Sequence, residues 1–307
     1  EVDKSITAMD RVLKTKPLVI VGPSFQTMTD AAGPMAVEEG VLMIAGINIG
    51  NNGENVSPWA VSLYGNTERV WKIGVQEWLK IHPDVKSVVC FYVPDIQLHE
   101  MRFTEEAFSE AGIKVLAKIE CTQGQLEFGP TAAKAWAMHP DGFYSVLQGA
   151  EQGKLNIELH KLGFEDGTLM AYGPGADSAT LFEVGKGYLE NNYIWDMFYV
   201  HSQEPDWQAL SDAYQDTHNG ALPYSAVIGP HYNAVYAVKT ALEQTNATGD
   251  PAKLKEERIA IRDFLINAQD LPGIQGSYNY QNGIQVTPVQ FMQIVDNAAV
   301  LLKTITP

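Results

Sequence analysis

Short apolar runs alternate along this chain with stretches in which hydrophobic residues recur every three or four positions, the pattern of a parallel sheet flanked by helices. Leu18 to Val21 reads as a strand, Thr29 to Glu39 as a helix closed by Gly40, and Val41 to Ala45 as the next strand. After Asn66 the unit repeats. Thr67 to Ile81 has helical spacing through Val70, Ile73, Trp78 and Leu79, and Ser87 to Val93 is a β-branched and aromatic strand. Phe103, Ala107, Phe108 and Ala111 share a helical face before strand Ile113 to Ile119; Thr131 to Met138 precedes strand Gly142 to Leu147; Leu155, Leu159 and Leu162 precede strand Thr168 to Tyr172. Leu181 to Leu189 reads as a helix and Tyr193 to Val200 as a fifth strand. The repetition predicts an α/β protein with one complete doubly wound lobe in this stretch.

From Pro205 the pattern turns helical, with Asp206 to Asn219, Pro223 to Gln244 and Pro251 to Ala268 each opened by a proline near the first turn. After Leu271-Pro272-Gly273 it becomes β again in Gln275 to Tyr280, a turn at Gln281-Asn282-Gly283, and a strand from Val289 to Val295. An antiparallel edge on an otherwise parallel sheet is expected. A length of 307 residues allows two domains at roughly 150 residues each.

Composition narrows the function. With 37 acidic and 21 basic side chains, a net charge of -16 argues against a nucleic-acid partner. A chain 45% hydrophobic and 19% charged is not globally disordered, and its apolar runs fall far short of the ~18 to 20 residues of a membrane span. The cysteines, Cys90 and Cys121, form no C-x-x-C pair, and no two of the seven histidines have the spacing of a helical metal pair. Glu1-Val2-Asp3-Lys4 shows neither the basic region nor the apolar core of an export signal, so any such signal has been removed or was never present.

Candidate chemistry gathers at strand ends. No Walker loop, G-x-G-x-x-G, G-x-S-x-G or H-E-x-x-H occurs, which lowers the case for an enzyme; no cofactor and no metal are implied. Two Gly-rich strand-to-helix loops, Gly22-Pro23-Ser24-Phe25-Gln26-Thr27 and Tyr172-Gly173-Pro174-Gly175-Ala176-Asp177, can offer backbone N–H groups to an anion or be plain turns with Asp177 or Ser178 as N-cap. Tyr64, Trp71, Tyr92, Tyr144 and Tyr172 lie near strand ends or crossings, as pocket walls or core plugs. Glu68 can accept an ammonium group or favour the start of the helix near Thr67.

Several segments resemble the periplasmic binding proteins for branched-chain amino acids: Val19-Ile20-Val21-Gly22-Pro23 with Ala31 and Pro34, Glu38-Glu39-Gly40-Val41-Leu42-Met43-Ile44, Phe91-Tyr92, Glu110-Ala111-Gly112-Ile113, Leu126-Glu127-Phe128, Asp141-Gly142-Phe143-Tyr144, Lys161-Leu162-Gly163-Phe164 and Tyr232-Asn233-Ala234-Val235. The resemblance spans nearly the whole chain. It implies a type I periplasmic binding fold: two α/β lobes joined by three crossings, with a small ligand caught in the cleft by hinge closure. The crossings are expected near Asn66-Thr67, near His201-Ser202 and near Ile274 to Tyr278. That makes 1–66 with 202–272 the first lobe and 67–201 with 273–307 the second. The resemblance further implies a strand-helix-strand unit ahead of this chain's first residues, roughly 30 residues or more, so the natural protein is expected to be longer there.

The family's ligand positions fall on Gln26, Ile47, Asn48, Ile49, Tyr64, Glu68, Gln97, Gln148 and Tyr172. Gln26, Ile47 and Ile49 replace the hydroxyl-bearing residues that receive an amino acid's carboxylate, which points to a flatter or more apolar ligand, while Glu68 keeps an amine in play. The resemblance thus implies a non-enzymatic monomeric receptor, periplasmic or extracellular, that hands an amino acid, amide or aromatic acid to the membrane permease subunits of an ABC transporter. A ligand-sensing regulator of the same fold is the alternative, and an enzyme using Glu68 or Asp177 as a base is a third reading.

Overall fold

The computed structural model describes residues 2–47, 56–164 and 169–307. Two compact units emerge: Glu1–Thr67 with Gly229–Thr287 and the final Pro307, and Glu68–Ile228 with Pro288–Thr306.

In the first unit, helix α1 (Val2–Leu13) opens the chain and sends Met9 into a cluster with Ile20, Ala32, Val41, Met43 and Ala45. No element was expected over these residues. Strand β1 (Val19–Val21), helix α2 (Gln26–Glu38), strand β2 (Leu42–Ala45) and strand β3 (Ala60–Ser62) follow, and the strands form a parallel sheet in the order β1-β2-β3. Helix α2 stops where expected because Gly40 takes a positive φ of 60°. Its N–H then reaches Val37 O at 3.0 Å, and that of Val41 reaches Ala36 O at 2.9 Å, which satisfies carbonyls the helix leaves open. Helices α9 (Ser225–Thr245, in this unit from Gly229 on) and α10 (Leu254–Leu265) bury Ala234, Ala237, Ala241, Ile261 and Leu265 against Leu42, Ile44 and Val61. Strands β9 (Asn279–Gln281) and β10 (Ile284–Val286) close a hairpin through Asn282 (φ 51°) and Gly283 (φ 78°). Two consecutive left-handed residues are what a two-residue hairpin turn requires.

The second unit holds α3 (Thr67–Ile81), β4 (Ser87–Tyr92), α4 (Pro94–Glu110), β5 (Lys114–Glu120), α5 (Gly129–Trp136), β6 (Gly142–Ser145), α6 (Gly149–Lys161), β7 (Leu169–Tyr172), α7 (Ala179–Val184), β8 (Tyr193–Asp196), α8 (Pro205–Thr217), β11 (Val289–Val295) and β12 (Ala298–Ile305). Its seven-stranded sheet runs β12-β11-β8-β7-β6-β4-β5. The strands from β4 to β8 are parallel, and β11 pairs antiparallel with both β8 and β12, the expected antiparallel edge. Strand β12 was not foreseen; Asp296 (φ 50°) and Asn297 (φ 59°) turn the chain into it. One face of the sheet packs Phe91, Phe143, Met170, Ile194 and Met292 against Leu155 and Leu159 of α6. On α3, Gly74 lets the helix settle on Trp195: a β-carbon there would lie 2.1 Å from the indole ring.

The passages between units fall at Thr67/Glu68, Ile228/Gly229 and Thr287/Pro288, so two segments group otherwise than the sequence reading has them. Helix α8 and the start of α9 go with the second unit because the buried Trp207 indole donates to Val200 O at 2.8 Å and Ser225 Oγ donates to Asp177 Oδ2 at 2.9 Å. The β9–β10 hairpin goes with the first because Tyr280 Oη donates to Ser62 O at 3.0 Å and Gln285 N donates to Ser62 Oγ at 2.7 Å.

Candidate functional site

Open α/β sheets bind ligands beyond the carboxyl ends of their strands, and each unit has its own such edge. In the first, β1 runs into Gly22-Pro23-Ser24 and β2 into Gly46-Ile47. Backbone bonds stitch these loops together, Gly22 N to Ile44 O and Gly46 N to Pro23 O, both 2.7 Å. A β-carbon on Gly46 would stand 2.2 Å from the Ser24 carbonyl oxygen, so only glycine permits this approach. The stitching aims Ser24 Oγ at His231 Nε2 of α9, 3.0 Å away. Gln26 is the first residue of α2, half-buried, and the N-cap Phe25 supplies no capping side chain. Tyr64, also half-buried, follows β3. Ile47 is 5% exposed and belongs to the apolar cluster around Met9 and Ala45, so its side chain is a core member. Asn48 and Ile49 lie outside the described residues.

In the second unit the edge is braced by side chains. Gln97, 4% exposed, accepts from Val93 N at 2.8 Å and donates to Val146 O, so both ends of its amide join the loops after β4 and β6. Gln148 is the half-buried N-cap of α6 and makes no capping bond. It borders Gly175, whose φ of 86° demands glycine and where a β-carbon would meet Gln148 Nε2 at 2.8 Å and Tyr224 Oη at 3.0 Å. Tyr224 Oη donates to Gly175 O. Tyr172, expected to line a pocket, is fully buried; its hydroxyl accepts from the side-chain amides of Asn156 and Asn192 in an internal network extended by Gln152.

Two buried carboxyls stand behind this edge. Asp196 accepts from Gly175 N at 2.7 Å through Oδ2 and from Met197 N at 2.6 Å through Oδ1. Asp177 accepts from Ser225 Oγ through Oδ2, while its Oδ1 has no partner among the described residues. Burial raises the pKa of both above the ordinary carboxylate range, and the charge of Asp196 pushes Asp177 further. Glu68 lies at the opening of α3, 3.0 Å from Lys72, which also reaches Glu110 at 2.9 Å and Glu106 at 3.7 Å. Both thiols are buried, and burial holds Cys90 and Cys121 above their ordinary value, which suits apolar fillers and not nucleophiles. Among the described residues no group of His, Cys, Asp and Glu can hold a metal ion, and no helix is long and apolar enough to cross a membrane.

The structure thus gathers Gln97 and Gln148 at one edge, Gln26 and Tyr64 at the other, and takes Ile47 and Tyr172 inside. Sequence reasoning missed Ser24 with His231, Tyr224, and the role of Asp196. Ser24 lay in a loop already singled out; nothing in the local sequence marks Tyr224 or Asp196.

Two α/β units, each with a polar carboxyl edge, define a two-unit binding fold. The sequence profile of the periplasmic binding protein family matches residues 1–299, and the chain belongs to that family. Solved structures share the fold. A leucine-binding protein from Thermotoga maritima is 19% identical with a TM-score of 0.82, covering 100% of this chain and 85% of its own. A Rhodopseudomonas palustris ABC-transporter solute-binding protein in complex with benzoate is 15% identical with a TM-score of 0.79, covering 100% and 83%. Another from the same species, in complex with 3,4-dihydroxybenzoic acid, is 16% identical with a TM-score of 0.80, covering 100% and 84%. No curated protein matches this chain.

Proposed function

We propose that the chain is an extracytoplasmic solute receptor that captures a small polar metabolite by closure of its two units and delivers it to the permease subunits of an ABC transporter, acting as a monomer and without turnover. The observation that carries the reading is the pair of polar carboxyl edges: Ser24, Gln26 and Tyr64 in the first unit, Gln148 and the Gly175 turn in the second. A ligand that touches both edges favours the closed state, whereas one bound equally in both states shifts nothing. The three chain passages at 67/68, 228/229 and 287/288 are the hinge segments in this proposal. Ligands known for structures of this fold, leucine, benzoate and 3,4-dihydroxybenzoic acid, have a carboxylate in common, and an acid of this size is the class proposed here.

Thermal unfolding with leucine, benzoate, 3,4-dihydroxybenzoate, acetamide and urea tests this. A ligand at about 100 times its Kd adds about 2.7 kcal/mol, so the expected result is a rise in midpoint with at least one acid. No shift with any compound, together with no small molecule released on denaturing freshly purified protein, overturns the receptor reading.

A further inference from the structure

Asp177 and Asp196 both bear on the turn after β7, where Gly175 donates to Asp196 and Asp177 follows two residues on, next to Ser225 of the unit's exit segment. Asp196 is 0% exposed and Asp177 2%. The groups facing them come from four places: Gly175 N on the turn after β7, the N–H groups of Met197 and Phe198 after β8, Ser225 with its neighbour Tyr224 at the start of α9, and Gln148 at the start of α6, which borders the same turn. Tyr224 is the one titratable group in this set besides the two carboxyls, and its hydroxyl is engaged as a donor to Gly175 O. The two carboxyls are unequally served. Asp196 receives backbone N–H bonds on both oxygens, which suits an ionised carboxylate. Asp177 receives one hydroxyl and leaves Oδ1 buried without an acceptor's usual donors. An ionised Asp177 would hold its charge out of water on an oxygen that no donor among the described residues answers, which is costly.

We propose that folded Asp177 keeps its proton while Asp196 is ionised, and that this proton fixes the Gly175 turn and the first turn of α9, so that its loss loosens the edge where Gln148 and Tyr224 stand. The loosened segment is the one through which the chain leaves the second unit, three residues before the passage at Ile228/Gly229. The consequence for ligand capture rests on the receptor reading; the proton itself does not, and its test needs no ligand.

A carboxyl that keeps its proton when folded and loses it when unfolded makes folding consume a proton. Its contribution to stability is therefore complete below the ordinary carboxylate pKa and is lost as pH rises through the raised folded value. Asp177→Asn mimics the protonated form, with an oxygen for Ser225 and an NH2 in place of the hydroxyl. The experiment measures unfolding midpoints and hydrogen exchange of the 224–228 amides for both proteins between about pH 5 and about pH 9. The expected result is that the two match in acid, that the variant's midpoint falls less with pH, and that at the alkaline end its 224–228 amides exchange at least about tenfold more slowly than those of the unaltered protein. Parallel midpoint curves with equal exchange overturn the proposal. Should the variant fail to fold, infrared spectroscopy of the unaltered protein decides: a protonated carboxylic acid band that persists at neutral pH and disappears in alkali is expected, and a neutral-pH spectrum without it overturns the proposal.

Discussion

The two units build their carboxyl edges by different means. In the first, three short strands end in loops joined backbone to backbone at Gly22 and Gly46, with Gln26 and Tyr64 half-buried just beyond them. In the second, the parallel strands β4 to β8 end in loops joined by side chains, and Gln97, Asp177, Asp196 and Tyr224 are occupied in holding them. A polar residue just past a strand is therefore not in itself a ligand contact. It can be the joint that keeps two loops at a fixed spacing, and such a joint serves binding by pre-organisation and not by touch.

The sharpest way to break the comparison is to spoil one unit at a time. Gly46→Ala would set a methyl 2.2 Å from a backbone oxygen, and Gly74→Ala would set one 2.1 Å from the Trp195 ring. Neither obstacle is the free end of a flexible chain, so each is expected to cost about 3 kcal/mol or more. Five of the six tryptophans, all but Trp59, belong to the second unit. In urea, Gly74→Ala should bring the fluorescence transition to lower denaturant. Gly46→Ala should instead bring forward a circular-dichroism change while fluorescence lags. Coincident shifts of both probes in both variants would mean that the units unfold as one.

A smaller effect separates joint from contact. Gln97→Ala leaves Val93 N and Val146 O buried without partners, at a cost of about 1–3 kcal/mol. Gln26→Ala, at the half-buried first residue of α2, should stay within about 0.5 kcal/mol. If both residues serve the site as argued, the first variant loses stability and the second loses ligand affinity with its urea midpoint unchanged. Equal stability losses would erase the distinction between the two edges.

Much of the scaffold was legible because parallel strands buried on both faces read as short apolar runs and because Gly40 and Asn282-Gly283 punctuate the chain where backbone geometry demands it. Strand β3 was missed because Ala60-Val61-Ser62 offers a single β-branched residue. Helix α1 was missed although Val2, Ile6, Met9 and Leu13 form a helical stripe, since single apolar residues among charges make a faint signal. The candidate site was legible only as a set of strand ends. Whether a side chain there points to solvent or inward depends on partners remote in sequence: 49 residues separate Gln97 from Val146, 48 separate Asp177 from Ser225, and 20 separate Tyr172 from Asn192. No local pattern encodes such pairs, and the same remoteness explains why the start of α9, bonded to Asp177, and the β9–β10 hairpin, bonded to Ser62, changed units.

The smallest expected effect concerns Glu68, the candidate ammonium acceptor. Its carboxylate shares Lys72 with Glu106 and Glu110, and the Glu68 side chain is 36% exposed. Hydrogen bonds to Glu110 and Glu68 raise the Lys72 pKa above its ordinary value, so the charge of Glu68 is already answered within its own helix. Glu68→Gln leaves Lys72 two other carboxylates, and the stability change should be below about 0.5 kcal/mol, as for partly exposed ion pairs generally. For a carboxylate ligand without an amine, such as benzoate, titration calorimetry should give the same affinity for both proteins within about twofold. Leucine supplies the discriminating arm: a loss of tenfold or more, about 1.4 kcal/mol, for leucine alone would show that a ligand ammonium competes with Lys72 for Glu68 and would return this residue to the site. Equal affinities for both ligands would leave Glu68 as the carboxylate that seats Lys72 at the opening of α3.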